Sequence, residues 1–260
     1  MIAAQQRFNA VALWTLVKRE LIRSMKVINQ VVWPPIISTV LYVFVFGLAL
    51  GSRVQNIQGV SYAQFLIPGL IMLQVIDSSY GECSSSVFQG RFMNSIQEML
   101  VAPMSAMEIV FGYVLGSLVR SLVIAVLITI LGVVLVHTWP AQWLLYAVVL
   151  CLVSILFSSL GLIFGLMAEK FDHLAALTTF VITPLTFVGG VFTSATMLPP
   201  VLRNLELFNP IFYTIDAFRH SYTGQSYLPL AYSLAMIAGL TVVALAVALR
   251  MTALGYKLRT

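Results

Sequence analysis

The chain alternates long apolar runs with short polar interruptions, and the lengths of the runs are the first clue. Six of them, at 31–50, 63–88, 107–136, 142–167, 174–190 and 230–250, are long enough to cross a membrane as helices. The yardstick is a rise of ~1.5 Å per residue against an apolar core of ~30 Å. The stretch before them has a different period. In 8–28, Val11, Trp14, Val17, Leu21 and Met25 recur at three- and four-residue spacing, with Arg19, Glu20, Arg23 and Lys26 opposite. This predicts an amphipathic helix lying in the membrane interface, with Lys18 inside the apolar stripe snorkelling toward headgroups.

Two interruptions carry structure of their own. Segment 90–106 is polar and charged: 92–101 suits a short helix, and Pro103 ends it because the residue before a proline leaves the helical region. Ser105 and Glu108 then form a capping box that starts the third run, as Ser61 and Gln64 do for the second. An ordinary cytosolic loop and a docking surface both fit this pattern. Segment 191–229 is neither a clean span nor hydrophilic. Two short helices dipping into the outer leaflet would satisfy their own backbone there without a full crossing.

Composition agrees: 60% of residues are apolar and 9% charged, against about 25% charged in soluble domains. The expected fold is a single all-α integral membrane domain over 1–260, with six transmembrane helices and no separate globular part. The net charge of +5 does not point to nucleic acid, since the basic residues lie at the ends of apolar runs. Arg7, Lys18, Arg19, Arg23, Lys26, Arg91, Lys170, Arg250, Lys257 and Arg259 fall on one side, and Arg53, Arg203 and Arg219 on the other. Ten against three puts both termini in the cytosol.

The candidate chemistry is sparse. Asp77, Glu82 and Arg120 are ionisable groups within spans, and such groups face protein or water. Asp77 and Arg120 come out at similar depth on consecutive antiparallel helices, so the spacing predicts that they pair, as a structural ion pair or as a substrate or proton site. Gly161 and Gly165 have the spacing of close helix packing. No GxxxxGK[ST] loop occurs, so the chain does not hydrolyse ATP by that motif, and no GxSxG or metal-ligand cluster suggests an intramembrane enzyme. Catalytic, cofactor and metal residues are therefore expected to be absent.

Three stretches, 62–70 (YAQFLIPGL), 98–103 (EMLVAP) and 184–192 (PLTFVGGVF), are followed by Leu198-Pro199-Pro200, Asn209-Pro210, Tyr213, Asp216, Phe218 and Arg219. In order and spacing the chain resembles the ABC type-2 permease family, the membrane subunits of bacterial ATP-binding-cassette exporters, and within it the YadH-like permeases. The resemblance covers essentially the whole chain. It implies a homodimer in the inner membrane standing on two copies of a separate cytosolic ATPase, which would hold ATP and Mg. It also implies that 90–106 couples to that ATPase through Arg91, Glu98, Met99, Leu100, Val101 and Pro103. An outer gate would be built from Phe187, Gly189, Gly190, Phe192, Pro199, Pro200, Asn209, Pro210 and Tyr213. The family exports lipids, glycolipids, polysaccharides and drugs. A transporter of another class, coupled to ions through Asp77, Glu82 and Arg120, is the alternative.

Overall fold

A computed structural model describes residues 9–50, 57, 59–93 and 104–257, excluding the side chains of 48–50. These residues are almost entirely helical, with no strand among them. In chain order the helices are α1 (Ala10–Lys26), α2 (Ile28–Gly47), α3 (Tyr62–Phe92), α4 (Ala106–Val136), α5 (Trp143–Met167), α6 (Phe171–Val191), α7 (Pro200–Leu207), α8 (Pro210–Thr223) and α9 (Leu230–Ala253). Five of them, α2, α4, α5, α6 and α9, are long and apolar enough to cross a membrane.

The helix ends follow local rules. Asn9 caps α1 by accepting from the amides of Val11 and Ala12. Both predicted capping boxes are formed, Ser61 with Gln64 at α3 and Ser105 with Glu108 at α4. Each satisfies two amides that a helix start otherwise leaves unpaired. Pro34 and Pro35 sit inside α2, which starts at Ile28 directly after Val27. The α6 helix passes through π-helical turns at Thr178–Ile182 and Phe187–Val191, and Gly190 takes φ +93° at its end. Only glycine adopts that backbone without strain.

The centre of the molecule is α3, although it is the most polar of the long helices. Phe65 to Met72, Val75 and Ile76 are buried, and so are Ser78, Ser79, Glu82, Ser84 and Ser86. Some of its serines close onto their own helix backbone: Ser79 Oγ donates to Val75 O at 2.6 Å, and Ser85 Oγ to Glu82 O at 3.1 Å. Two glycines let α5 lie directly on it. A Cβ added at Gly161 would sit 2.6 Å from the Tyr80 carbonyl oxygen, and one at Gly165 2.8 Å from that of Ser84. The glycine spacing thus gives close packing by removing side-chain bulk, the usual route to helix association where lipid offers no hydrophobic driving force.

Two glycines in different surroundings should therefore respond differently to a methyl group. Gly161→Ala forces the new methyl against backbone and should lower stability by ~1–3 kcal/mol, whereas Gly239→Ala in α9, where nothing lies within 4 Å of the new methyl, should be neutral or stabilising by up to ~1 kcal/mol. Thermal unfolding of the two variants in one detergent measures the difference; equal midpoints would refute the packing account.

Candidate functional site

The functional features converge where α1 lies across α3 and α4. Helix α1 turns Leu16, Val17 and Glu20 inward and leaves Val11, Trp14, Lys18, Ile22 and Met25 exposed on the opposite side. The predicted stripe is therefore divided: its outer members face away from the protein, while Val17 and the acidic Glu20 are buried. Glycines of α4 make the room. A Cβ at Gly112 would collide with the Leu16 side chain, and one at Gly116 would sit 2.6 Å from Glu20 Cβ.

Into that contact the chain places a network of opposite charges. Glu20 and Glu82 are 2% and 4% exposed. Arg19 Nη2 donates to Glu20 Oε1 at 2.9 Å, and Arg23 Nε to Glu20 Oε2 at 3.2 Å. Arg23 Nη2 reaches Glu82 Oε1 at 2.6 Å, and Ser24 Oγ donates to the same oxygen at 2.7 Å. Arg120 Nη1 binds Glu82 Oε2, and Ser86 Oγ donates to Glu20 Oε2. Each carboxylate is thus shared by two arginines and a serine. Such sharing is what lets ions stay buried, because an unpaired one costs several kcal/mol.

In this network the direct contact of Arg120 is with Glu82, while the expected partner Asp77 acts on Arg120 through its charge at longer range. Asp77 is exposed and forms no ion pair with Arg120 among the described residues; it lines a small recess with Gln74, Thr186 and Phe187. Glu82 lies five residues further along α3 and is the carboxylate that meets the guanidinium. Similar depth on neighbouring helices fixed the level of the contact but left the rotation of each helix open.

A second link joins the N-terminus to the segment after the polar insert. Glu108, fully buried, accepts from the Ser105 amide at 2.9 Å through Oε2 and from the Asn9 amide at 2.6 Å through Oε1. One carboxylate thereby caps α4 and holds the start of α1. Of the expected coupling residues, Glu98, Met99, Leu100, Val101 and Pro103 lie outside the described residues. Arg91 is described, and its geometry differs from a rim contact. Nη1 donates to the carbonyls of Gly165, Leu166 and Ala168 at 3.2, 2.7 and 2.9 Å, and Nε to that of Lys257 at 2.9 Å. It closes the end of α5, where helix carbonyls lack partners and attract cations.

At the other end, most of the expected gate residues come together. Phe192 packs in tilted ring contacts against Phe187 and Phe46 at centroid distances of 4.9 and 4.7 Å. Tyr62 Oη donates to Phe192 O at 2.9 Å. Asn209 caps α8 by accepting from the Ile211 amide, with Pro210 in the first turn, and its Nδ2 donates to Leu185 O at 2.5 Å. Tyr213 Oη donates to Leu207 O at 2.6 Å. A Cβ at Gly189 would meet Asn209 Nδ2 at 3.1 Å and the Phe212 amide nitrogen at 3.3 Å, so α6 and α8 approach closely here and a methyl group would press them apart. Pro199 and Pro200 sit apart from this group and set the start of α7.

Two further residues join this group from outside the expected gate set. Arg219, buried, donates to the Gly190 carbonyl at 2.6 Å and lies 3.8 Å over the Phe65 ring. Glu206 is fully buried with neither carboxylate oxygen hydrogen-bonded among the described residues. Burial pushes its carboxyl up to about 7, against the opposing pull of Arg219. A helical-period reading places Glu206 on the polar side of a short amphipathic helix, and nothing in its spacing signals burial.

Five helices long and apolar enough to cross a membrane, with buried charges at one helix crossing and packed aromatic rings at the opposite end, define a multi-pass membrane protein. The profile of the ABC-2 type transporter matches residues 11–223, and the chain belongs to that family. It is 39% identical over 220 residues, 85% of its length and 86% of the relative's, to the inner membrane transport permease YadH of Escherichia coli (strain K12). Nodulation protein J of Rhizobium leguminosarum bv. viciae is 29% identical over 190 residues, 72% of each chain. Nodulation protein J of Rhizobium meliloti (strain 1021) is 26% identical over 216 residues, covering 82% of this chain and 80% of the relative. The chain is an ABC-2 permease, a multi-pass protein of the inner membrane.

Two measurements check the site. In thermal unfolding, Glu82→Gln should cost ~3 kcal/mol or more, and its double-mutant cycle with Arg120→Gln should show coupling of ~0.5–3 kcal/mol. The cycle of Asp77→Asn with Arg120→Gln should be additive to ~0.5 kcal/mol; strong coupling there would restore the pairing of Asp77 with Arg120. For Glu206, the folded carboxyl titrates near 7 and the ordinary value is 4.5, so the folded state holds a proton that the unfolded state has released. Stability should then fall as pH rises from 4.5 through 7, by up to ~3 kcal/mol. Glu206→Gln should flatten that slope, and an unchanged slope would show that Glu206 does not titrate there.

Proposed function

We propose that the chain is the membrane subunit of an ATP-driven exporter that moves an amphiphilic, lipid-linked or drug-like molecule out across the inner membrane. In this reading α3 is the second of six crossings, both termini are cytosolic, and 191–229 is a re-entrant outer gate that opens for release. Two copies of the chain stand on two copies of a separate ATPase, which holds ATP and Mg. Segment 90–106 seats Met99, Leu100 and Val101 in a groove of that ATPase, with Glu98 at the rim and Pro103 ending the seated helix. A permease of this kind is a transport subunit, and the hydrolytic step belongs to its partner.

The observation that carries the reading is the shared carboxylate of Glu108. It ties the N-terminal helix to the first turn of α4, immediately after the segment proposed to receive the stroke. A push on 90–106 would pass into α4 through that cap and into α1 at once, and from both into Glu82 on α3. Membership of the family, the likeness to the YadH transport permease and the ten-to-three charge bias support it further.

Purification of the tagged chain from its host membrane should bring down an ATP-hydrolysing chain in equal amount, and inverted vesicles holding both should accumulate substrate only with ATP. Gln97→Pro should leave the chain in the membrane yet abolish ATP-driven transport, since proline would break the helix that the sequence predicts over 92–101. Met99→Ala with Leu100→Ala should weaken co-purification more than Glu98→Gln, because apolar anchors dominate docking energies. Accumulation driven by an ion gradient without ATP would replace this reading with the ion-coupled one.

A further inference from the structure

Between α1 and the cytosolic end of α3 lies a cleft of about 520 Å³ that shares Arg19, Glu20, Arg23 and Ser86 with the charge network and adds Lys18 and Lys26, which the network does not use. It is lined from α1 by Thr15, Lys18, Arg19, Glu20, Arg23 and Lys26, and from α3 by the polar Ser86 and Gln89 among others. Its size falls within the ~300–1,000 Å³ range of small-ligand sites.

The charges do not balance. Four cations and one carboxylate line the cleft, and the Glu20 carboxylate already accepts from Arg19, Arg23 and Ser86. Lys18 and Lys26 make no hydrogen bond or ion pair with any described residue. Both are exposed and without a partner among the described residues, which leaves them available to an anion from outside.

The position of α1 says which anion. Val11, Trp14, Ile22 and Met25 are 74%, 63%, 45% and 68% exposed, and they run along the face turned away from the protein. A helix with such a face lies at the depth where headgroups meet acyl chains. On the helical projection the cleft opens on the flank between this apolar face and the buried Glu20, so its mouth is at phosphate level. Arg19 and Arg23 are held rigidly by the buried carboxylates, and Ser86 and Gln89 offer polar groups beside them. We infer that this cleft is a binding site for the headgroup of an anionic phospholipid, its phosphodiester held by Lys18 and Lys26 while its acyl chains run along Trp14 and Ile22. The lipid would then brace α1 from the side that the charge network leaves open.

The test uses the full chain purified from nanodiscs of phosphatidylcholine containing about a third phosphatidylglycerol, with retained lipid counted by native mass spectrometry. Wild type should retain phosphatidylglycerol in preference to phosphatidylcholine. Lys18→Gln with Lys26→Gln should reduce that preference about 30-fold, as expected for two basic residues at an anionic surface. Lys18→Arg with Lys26→Arg should keep it within about threefold, and this charge-preserving pair also exposes any folding defect common to changes at these positions. A control pair, Lys170→Gln with Lys257→Gln, removes the same charge elsewhere and should change retention less than twofold. Three results overturn the proposal: equal retention by wild type and the Lys18/Lys26 glutamine variant, an equal loss in the control pair, or displacement of the lipid by millimolar inorganic phosphate. Full lipid retention by the glutamine variant together with loss of the co-purifying ATPase would assign the cleft to an acidic protein surface instead, and would likewise overturn it.

Discussion

Two carboxylates under the N-terminal helix hold the rest in place. Glu20 and Glu82 are buried beside α3, and neither tolerates that position as an isolated charge. Their partners come from three helices: Arg19, Arg23 and Ser24 from α1, Ser86 from α3, and Arg120 from α4. Rotating any of the three helices strands at least one ion. The network therefore specifies orientation more strongly than it adds to stability, since Coulombic gain and lost hydration largely offset each other in such sites. The glycines at 112 and 116 make the arrangement possible by letting the helices approach until the charges meet.

The outer end is built on a different principle. Phe46, Phe187 and Phe192 pack by ring contact, and the polar groups among them satisfy backbone carbonyls: Tyr62 to Phe192, Asn209 to Leu185, Tyr213 to Leu207 and Arg219 to Gly190. These bonds cover carbonyls in the irregular last turns of α6, just beyond it and at the end of α7, which would otherwise face an apolar environment unpaired. Glu206 is the exception, with no such partner among the described residues, and its charge state depends on the surrounding pH.

Much of this was legible in the sequence. Run lengths found the helices, and S-x-x-Q and S-x-x-E located two helix starts, because capping depends on residues three apart. Gly161 and Gly165 marked the α3–α5 contact for the same local reason. The charge partners were not legible. Period and depth told that Arg120 needed an acid on the second run but could not choose Glu82 over Asp77, since five residues on a helix change the facing direction by more than a quarter turn. Glu20 is one of several charges on a short amphipathic stretch, and only docking against Gly116 buries it. Arg91 stood beside a conspicuous insert and drew a role from it, while its bonds go to the end of α5.

The clasp between Asn9 and Glu108 also sets an order of assembly. The two residues are 99 positions apart, and Arg23 waits for Glu82 across 59. At about 5–20 residues per second of synthesis, roughly 5–20 s pass between the appearance of Asn9 and that of Glu108. Throughout that interval Glu20 has Arg19 and Arg23 of its own helix but not Ser86, and Leu16 and Val17 have no protein surface to rest on. The nascent chain must hold α1 against the bilayer surface until α3 and α4 have been delivered, so α1 is made before them and seated only after them.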